Sequence, residues 1–437
     1  MKRAKGLWLE LGSFRNLLRA AGKAQRGKRF LPATAEFNYN LEGELLRLQR
    51  ELLDKSYRPG PYRTFHIHEP KKRMISAAPY RDRVVHHALC NVIEPVFERG
   101  FIHDSYACRR GKGTHAAVDR FQHYLRRHCC VLKCDVRKFF PSIDHEILLA
   151  RIGRKIADPD VMWLVRLIVN NSNPQEPTDY YFPGDDLFAP GERRKGLPIG
   201  NLTSQFFANV YLDGFDHFVR EKLRPSGYVR YCDDFALFAD DKALLRECLE
   251  ACRGHLEGLR LLLHADKCQV FPASQGAPFL GYRVLPGRRR LDPKNGWRMA
   301  RRLRALQRDY AHGRLGLEAV RNSICAWIGH ARHADTKGLR RRLFRGAAFV
   351  RGHLPKRLEP GVAGRLVEQQ PEQLPLIEPQ QEQPGEQERQ QRLSSRCGCR
   401  SALCCQSPAV GSTAGACEER AQGDVPRRAG PTPGGAE

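Results

Sequence analysis

Apolar residues recur along the first 350 or so positions in two spacings. Near the N-terminus, "LWLELGSFRNLLRAAGKAQRG" and "NLEGELLRLQRELLDKSY" place them at i, i+3 and i+4, which predicts amphipathic helices over residues 1–60. The segment "YRTFHIHEPKKRMISA" is β-like and basic, and "DRVVHHALCNVIEPVFE" returns to helical spacing with Asp82 near its start. After a basic turn, "SYACRRGKG", a further helix leads into "CCVLKCDV", a continuous apolar run of strand length ending on Asp135 and Val136. "SIDHEILLARIGRKI" predicts a helix with Ser142 or Asp144 as its cap.

Residues 171–195 are turn-rich and read as a loop or loose hairpin. "LTSQFFANVYLDGFDHFVREKL" is helical, "YVRYCDDFALFAD" reads as two short strands around a turn, and "DKALLRECLEACRGHLEGLRL" is again a helix. "KCQVF" and "FLGYRVL" add two strand-like pieces. From Tyr282 to Arg357 the chain reads as a basic helical unit with Leu303, Leu306 and Tyr310 on one face. Beyond about Gly361 a Gln-, Glu- and Pro-rich stretch gives way to Gly, Ser, Ala and Pro, which reads as a disordered tail over 361–437.

Charge narrows the partners. In 437 residues, 74 Lys and Arg against 48 Asp and Glu leave a formal +26, an excess that points to a polyanion. Nucleic acid ranks ahead of an anionic membrane surface. Between Tyr282 and Arg357 alone, 21 basic residues face 4 acidic ones, so the helical unit presents a cationic surface. No apolar run approaches the ~18 residues of a membrane span, and the N-terminal apolar stretch is broken by Glu10. The expectation is a soluble cytoplasmic protein. Ten of the fifteen cysteines are scattered before residue 330 without C-x-x-C pairing, so no disulfide framework is expected. Cys134 and Cys232 sit in strand-like runs, as buried reduced thiols do. The tail cluster from Cys397 to Cys405 matches no paired zinc knuckle.

Against this background the acidic residues stand out. Asp135 ends one buried-type strand, and Asp233 and Asp234 occupy the turn between two others. Unpaired, such carboxylates are costly to bury; clustered, they repel one another. Hard divalent cations held by oxygen donors resolve both problems, and a pair of such ions serves phosphoryl transfer. Adjacent residues of a regular strand point to opposite faces, which favours Asp135 and Asp233 over Asp234 as direct ligands. Taken alone, "YCDD" is equally the spelling of an ordinary β-turn.

It is not alone. "SYACRRGKGTHAAV", "LKCDVRKFFPSIDHEIL", "GLPIGNLTSQFFANVYL", "YVRYCDDFALFAD", "LLLHADKCQVF" and "FLGYRVL" follow one another in the order of the motifs of the reverse transcriptase family, which the chain resembles over about residues 45–350. The resemblance implies an α+β right-hand polymerase. An N-terminal helical region (1–60) would precede fingers and palm (61–281), the palm an antiparallel sheet with helices, and then a helical thumb (282–360). It implies that Asp135, Asp233 and Asp234, with the Val136 carbonyl, bind two Mg²⁺ ions, Mn²⁺ being an alternative. Phe140 matches the gate against a ribose 2′-OH, and Arg109 the fingers arginine over the incoming dNTP. Arg73 would clamp the triphosphate, beside Ile199, Gly200 and Gln205 of the nucleotide-binding loop. Lys267 resembles the lysine that protonates the leaving pyrophosphate, and Leu280, Gly281 and Tyr282 the primer grip.

The loop narrows the resemblance further. Most relatives spell it Q-G-x-x-x-S-P; here it runs Ile199, Gly200, Asn201, Leu202, Thr203, Ser204, Gln205. That spelling, with "SICAWIGHARHADTKGLRRRLF", resembles the reverse transcriptases of diversity-generating retroelements. The implied activity is error-prone copying, at adenines, of a template-repeat RNA into cDNA. The implied partners are the RNA template, a DNA or RNA primer, and a small basic accessory protein of the accessory variability determinant type. The alternatives are a group II intron-like or defence-associated enzyme, or a scaffold that binds RNA without chemistry.

Overall fold

The computed structural model describes residues 3–68 and 72–352. The low-complexity tail with its cysteine cluster lies outside the described residues, as does Lys71.

Helices α1 (Phe14–Ala24) and α2 (Leu41–Leu53) pass the chain to a hairpin, β1 (Arg63–Ile67) and β2 (Arg73–Ala77). Helix α1 turns Leu17, Ala20, Ala21 and Ala24 inward, toward α3 (Tyr80–Glu98). Helix α3 is apolar on most sides, burying Val84, Val85, Ala88, Leu89, Val92, Ile93 and Phe97, and so lies inside the fold rather than on it. Asp82, in its first turn, accepts bonds from Tyr57 Oη (2.7 Å) and Gly60 N (2.8 Å), tying the helix start to the preceding loop.

Helix α4 (Thr114–Leu125) leads to β3 (Cys130–Asp135), followed by α5 (His145–Gly153) and α6 (Pro159–Asn170). Asp144, not Ser142, caps α5, accepting from Ile147 N at 3.1 Å. Residues 171–195 are irregular apart from one turn of helix, Ala189–Glu192. Next come α7 (Leu202–His217), β4 (Gly227–Tyr231), β5 (Asp234–Ala239), α8 (Lys242–Glu257) and β6 (Gln269–Pro272).

Strands β3 to β6 form one antiparallel sheet ordered β4-β5-β3-β6. Strand alternation divides its side chains between two cores. Cys130, Leu132, Cys134, Phe235, Leu237 and Ala239 join the larger core with buried residues of α3, α7 and α8. Val131, Val229, Ala236 and Phe238 join a second core with α4 and the next hairpin. Along that second face the apolar residues stop at Lys133, Asp135 and Asp234. The free edge of β4 is covered by residues 104–106, with Arg230 N on Asp104 O and Tyr106 N on Arg230 O, both at 2.9 Å.

The segment "FLGYRVL", read above as one strand, is a hairpin, β7 (Ala277–Phe279) and β8 (Tyr282–Val284), joined to β9 (Arg289–Leu291). Leu280 (φ 47°) and Gly281 (φ 87°) make its two-residue turn, both in the left-handed region that type I′ turns require. The apolar pattern runs through the turn because Leu280 packs on the second core. Strand β9, spelled RRL, has no apolar alternation to betray it; its Arg289 is held by Asp119 (2.6 Å) and Gln122 (2.7 Å). The basic helices therefore begin at Pro293, not Tyr282: α9 (Pro293–Ala311), α10 (Leu317–Ala331) and α11 (Lys337–Phe344). Leu303 and Leu306 are buried on the inner face of α9 and Tyr310 is half-buried. The ten described cysteines are all free thiols.

Candidate active site

Pairing register, not sequence spacing, assembles the acidic residues. In the β3–β5 ladder Asp135 faces Asp234, and in β4–β5 Tyr231 faces Asp234, leaving Cys232 and Asp233 as a two-residue turn. Cys232 alone of the pair has positive φ (59°), at the first turn position where type II′ hairpins favour glycine. Asp233 O accepts from Val136 N at 3.2 Å, fastening the turn to the residue after Asp135. Strand parity alone would rank Asp233 above Asp234. The register makes Asp234 the direct cross-strand neighbour of Asp135, with Asp233 joining from the turn.

Two lysines share this corner. Lys133 Nζ lies 2.8 Å from Asp234 Oδ1, and Lys267 Nζ contacts Asp135 Oδ2. Burial, then repulsion from Asp234 and Asp135, pushes the Asp233 carboxyl up to about 6, against the pull of Arg73. Asp234 is also raised, by burial first, with Lys133 opposing. Among the described residues no three His, Cys, Asp or Glu side chains are grouped closely enough to hold a metal ion as they stand. The donors nevertheless suit a hard divalent cation: they are all oxygens, and their repulsion is what such an ion relieves.

Beneath the turn lies a residue that sequence reading passed over. Arg230 is fully buried, its Nε and Nη2 each 2.6 Å from the carboxylate of Asp216, also fully buried. Its remaining donors reach Ser105 Oγ (3.0 Å), Asn209 Oδ1 (3.2 Å) and Cys232 O (3.0 Å). Tyr228 Oη donates to Asp216 at 2.8 Å. The guanidinium thus holds the turn's backbone from below with its hydrogen-bonding capacity filled. One signal was available: a charge at a strand position flanked by apolar residues, "YVRYC".

Arg73 opens β2, is exposed, and acts electrostatically on Asp233. Residues 199–201, just before α7, clasp the same strand. Ser76 N donates to Ile199 O (2.9 Å), and Asn201 bonds Ser76 O (2.9 Å) and Ala78 N (3.3 Å). Gly200 has φ 117°, and a Cβ there would stand 2.9 Å from Ile75 Cγ2, so both backbone and space demand glycine. The Ile199 side chain is half-buried and Gln205 is exposed, its Oε1 accepting from Cys108 Sγ at 3.3 Å.

Arg109, expected over the incoming dNTP, is engaged within its own loop. Its side chain is 6% exposed and grips Glu98 through Nη2 (2.7 Å) and Nε (2.9 Å). Its Nη1 donates to the carbonyls of Ile102 (2.6 Å) and Ser105 (2.9 Å). Those bonds staple the guanidinium to its own loop. The adjacent Arg110 is exposed.

Lys138, at φ 45°, turns the chain so that Phe139 enters the core (2% exposed) while Phe140 stays half-buried. Of the two, Phe140 is the one with surface to offer a substrate. Farther along, Gly281 O accepts from Asp292 N (3.0 Å). Tyr282 is buried, its hydroxyl 2.7 Å from His330 O and 2.8 Å from His330 Nδ1, so the β7–β8 hairpin is pinned to α10.

Residues 66–284 match the protein family described as "Reverse transcriptase (RNA-dependent DNA polymerase)". The chain is 28% identical over 287 residues to Protein YkfC of Escherichia coli (strain K12), covering 56% of this chain and 72% of that protein. It is 24% identical over 211 residues to the group II intron-encoded protein LtrA of Lactococcus lactis subsp. cremoris, covering 47% of this chain and 33% of LtrA. It thus spans about a third of the length of that relative. The solved structure of apo telomerase from Candida tropicalis superposes with a TM-score of 0.40 at 10% identity, over 54% of this chain and 49% of that one. The matched segment is half of the chain and contains the three aspartates, the clasped loop and the pinned hairpin, and the protein belongs to the reverse transcriptase family of RNA-directed DNA polymerases.

Proposed function

We propose that this reverse transcriptase copies a template-repeat RNA into error-prone cDNA, with errors concentrated at template adenines, for retroelement-driven diversification of a gene. The polymerase chemistry rests on one observation, the convergence of Asp135, Asp233 and Asp234 at a single strand end and turn. In this reading Asp135, Asp233, Asp234 and the Val136 carbonyl hold two Mg²⁺ ions, or Mn²⁺. When bound, such ions supply activation of the primer 3′-hydroxyl and neutralisation of phosphate charge. The primer 3′-hydroxyl gives up its proton to solvent and its oxygen forms a bond to the α-phosphorus as the bond to pyrophosphate breaks, while Lys267 would give a proton to the departing oxygen. Arg73 holds the triphosphate, Phe140 excludes a 2′-hydroxyl, and Leu280, Gly281 and Tyr282 seat the primer end.

The finer reading rests on Ile199. A glutamine at that position could hydrogen-bond the incoming nucleotide; isoleucine has no polar atom with which to do so. Losing such a contact lowers discrimination between right and wrong pairs. The cationic surface of α9 to α11 suits an RNA–DNA duplex, and a small basic accessory protein completes the proposed assembly. A second reading, an intron-type enzyme, is favoured by the similarity to the intron-encoded LtrA.

Primer extension on an RNA template tests the chemistry: Mg²⁺-dependent dNTP incorporation is expected from the native chain and not from Asp233→Asn. RNA binding without extension would make the protein a scaffold. Sequencing the product decides the subtype, since errors spread evenly over the four template bases would favour the intron-type reading.

A further inference from the structure

Lys133 has no role in the reading above. It lies two residues before Asp135 on the central strand β3, so strand alternation sets both side chains on one face. In the ladder Lys133 faces Ala236, which makes Asp234 its diagonal neighbour across the β3–β5 pair. The same face beneath it is apolar, built of Val131, Val229, Ala236 and Phe238. Its stem therefore rises from an apolar floor and its ammonium meets Asp234 Oδ1 at 2.8 Å, with the side chain 13% exposed. Lys267 differs: it comes from a short 3₁₀ turn at the sheet margin and is 38% exposed.

We infer that Lys133 is a built-in monovalent counter-cation of the aspartate cluster. It tethers Asp234 and weakens divalent-cation binding, leaving Asp135 and Asp233 as the dominant donors. The inference rests on the proposal that the three aspartates hold divalent ions. Lys133 is a positioning residue, acting on the substrate only through Asp234. A divalent ion that takes Asp234 as a donor must break this ion pair, and a partly buried pair is only weakly screened.

The test is direct binding of Mn²⁺ to the full chain without nucleic acid, followed by electron paramagnetic resonance. Lys133→Met keeps the apolar stem and removes the charge; Lys133→Arg keeps the charge. Lys133→Met is expected to bind Mn²⁺ more than about threefold tighter than the native chain, because freeing Asp234 from a partly buried ion pair is worth at least that much. Lys133→Arg should stay near the native affinity, and adding Asp234→Asn to Lys133→Met should abolish the gain. A change of less than threefold in Lys133→Met, or a gain that survives Asp234→Asn, overturns the inference. Failure of the underlying reading is separate: there, Asp233→Asn would bind Mn²⁺ as well as the native chain.

Discussion

Replacing Asp233 with asparagine should stabilise the protein while ending its chemistry. The carboxyl rises from an ordinary 3.8 to about 6, mainly because it is buried, and then because Asp234 and Asp135 repel it. At neutral pH the charged form is therefore held against a penalty of about two pKa units, or roughly 3 kcal/mol at 1.36 kcal/mol each. Asparagine keeps the shape and loses the charge. For a folded unit of roughly 350 residues, an unfolding entropy near 2.1 cal/mol/K per residue converts 3 kcal/mol into about 4 °C, and partial solvent exposure lowers this to about 2–4 °C. The linkage has a definite sign. A carboxyl raised in the folded state contributes stability that is complete below about pH 4 and is lost as pH rises through about 6. The advantage of Asp233→Asn should therefore be near zero at roughly pH 4.5, open across the next two units, and be full near neutrality. Thermal denaturation followed by circular dichroism, in EDTA, measures it. Saturating Mg²⁺ should then raise the native melting temperature and leave the variant unmoved. A variant that melts at or below the native protein in EDTA near neutral pH would refute the electrostatic argument, as would a difference insensitive to pH.

Three further outcomes are expected. Phe140→Ala should admit ribonucleotides with little change in melting temperature, read as the rNTP-to-dNTP incorporation ratio, whereas Phe139→Ala should cost about 3–5 kcal/mol of stability because that ring is in the core. Arg230→Met leaves Asp216 buried without its partner and should destabilise by about 3–5 kcal/mol in denaturant titration, with Asp216→Asn in the same chain restoring part of the loss. Ile199→Gln should lower misincorporation opposite template adenine; sequenced cDNA with an unchanged adenine error rate would remove Ile199 from the explanation of infidelity.

The elements carrying the chemistry were legible because each has a strong local pattern. The apolar run ending on Asp135, and the two runs around Asp233 and Asp234, could hardly be anything but strands. What the pattern does not carry is register. That Asp234 faces Asp135 is a property of how β3 pairs with β5, set by packing on both sides of the sheet. Arg109 shows a related limit: its local motif is compatible with a nucleotide contact, and only the fold shows Glu98 within reach of it. Arg230 and Lys133 were hidden by composition, since two more cations attract no notice in a chain of +26. Their strand neighbours mark them, because a charge inside a buried run requires a partner. Strand β9 left no trace, its arginines being satisfied by Asp119 and Gln122 on another element.

The clasp between residues 199–201 and β2 divides labour between neighbouring residues. Ser76 is anchored to the Ile199 carbonyl, and the close approach to Ile75 falls on Gly200. Neither constraint reads the identity of the Ile199 side chain. Substitutions there leave the anchoring bond in place, while Gly200 and Asn201 tolerate almost none. A lineage can therefore vary the side chain at position 199 by single steps while the backbone clasp stays in place.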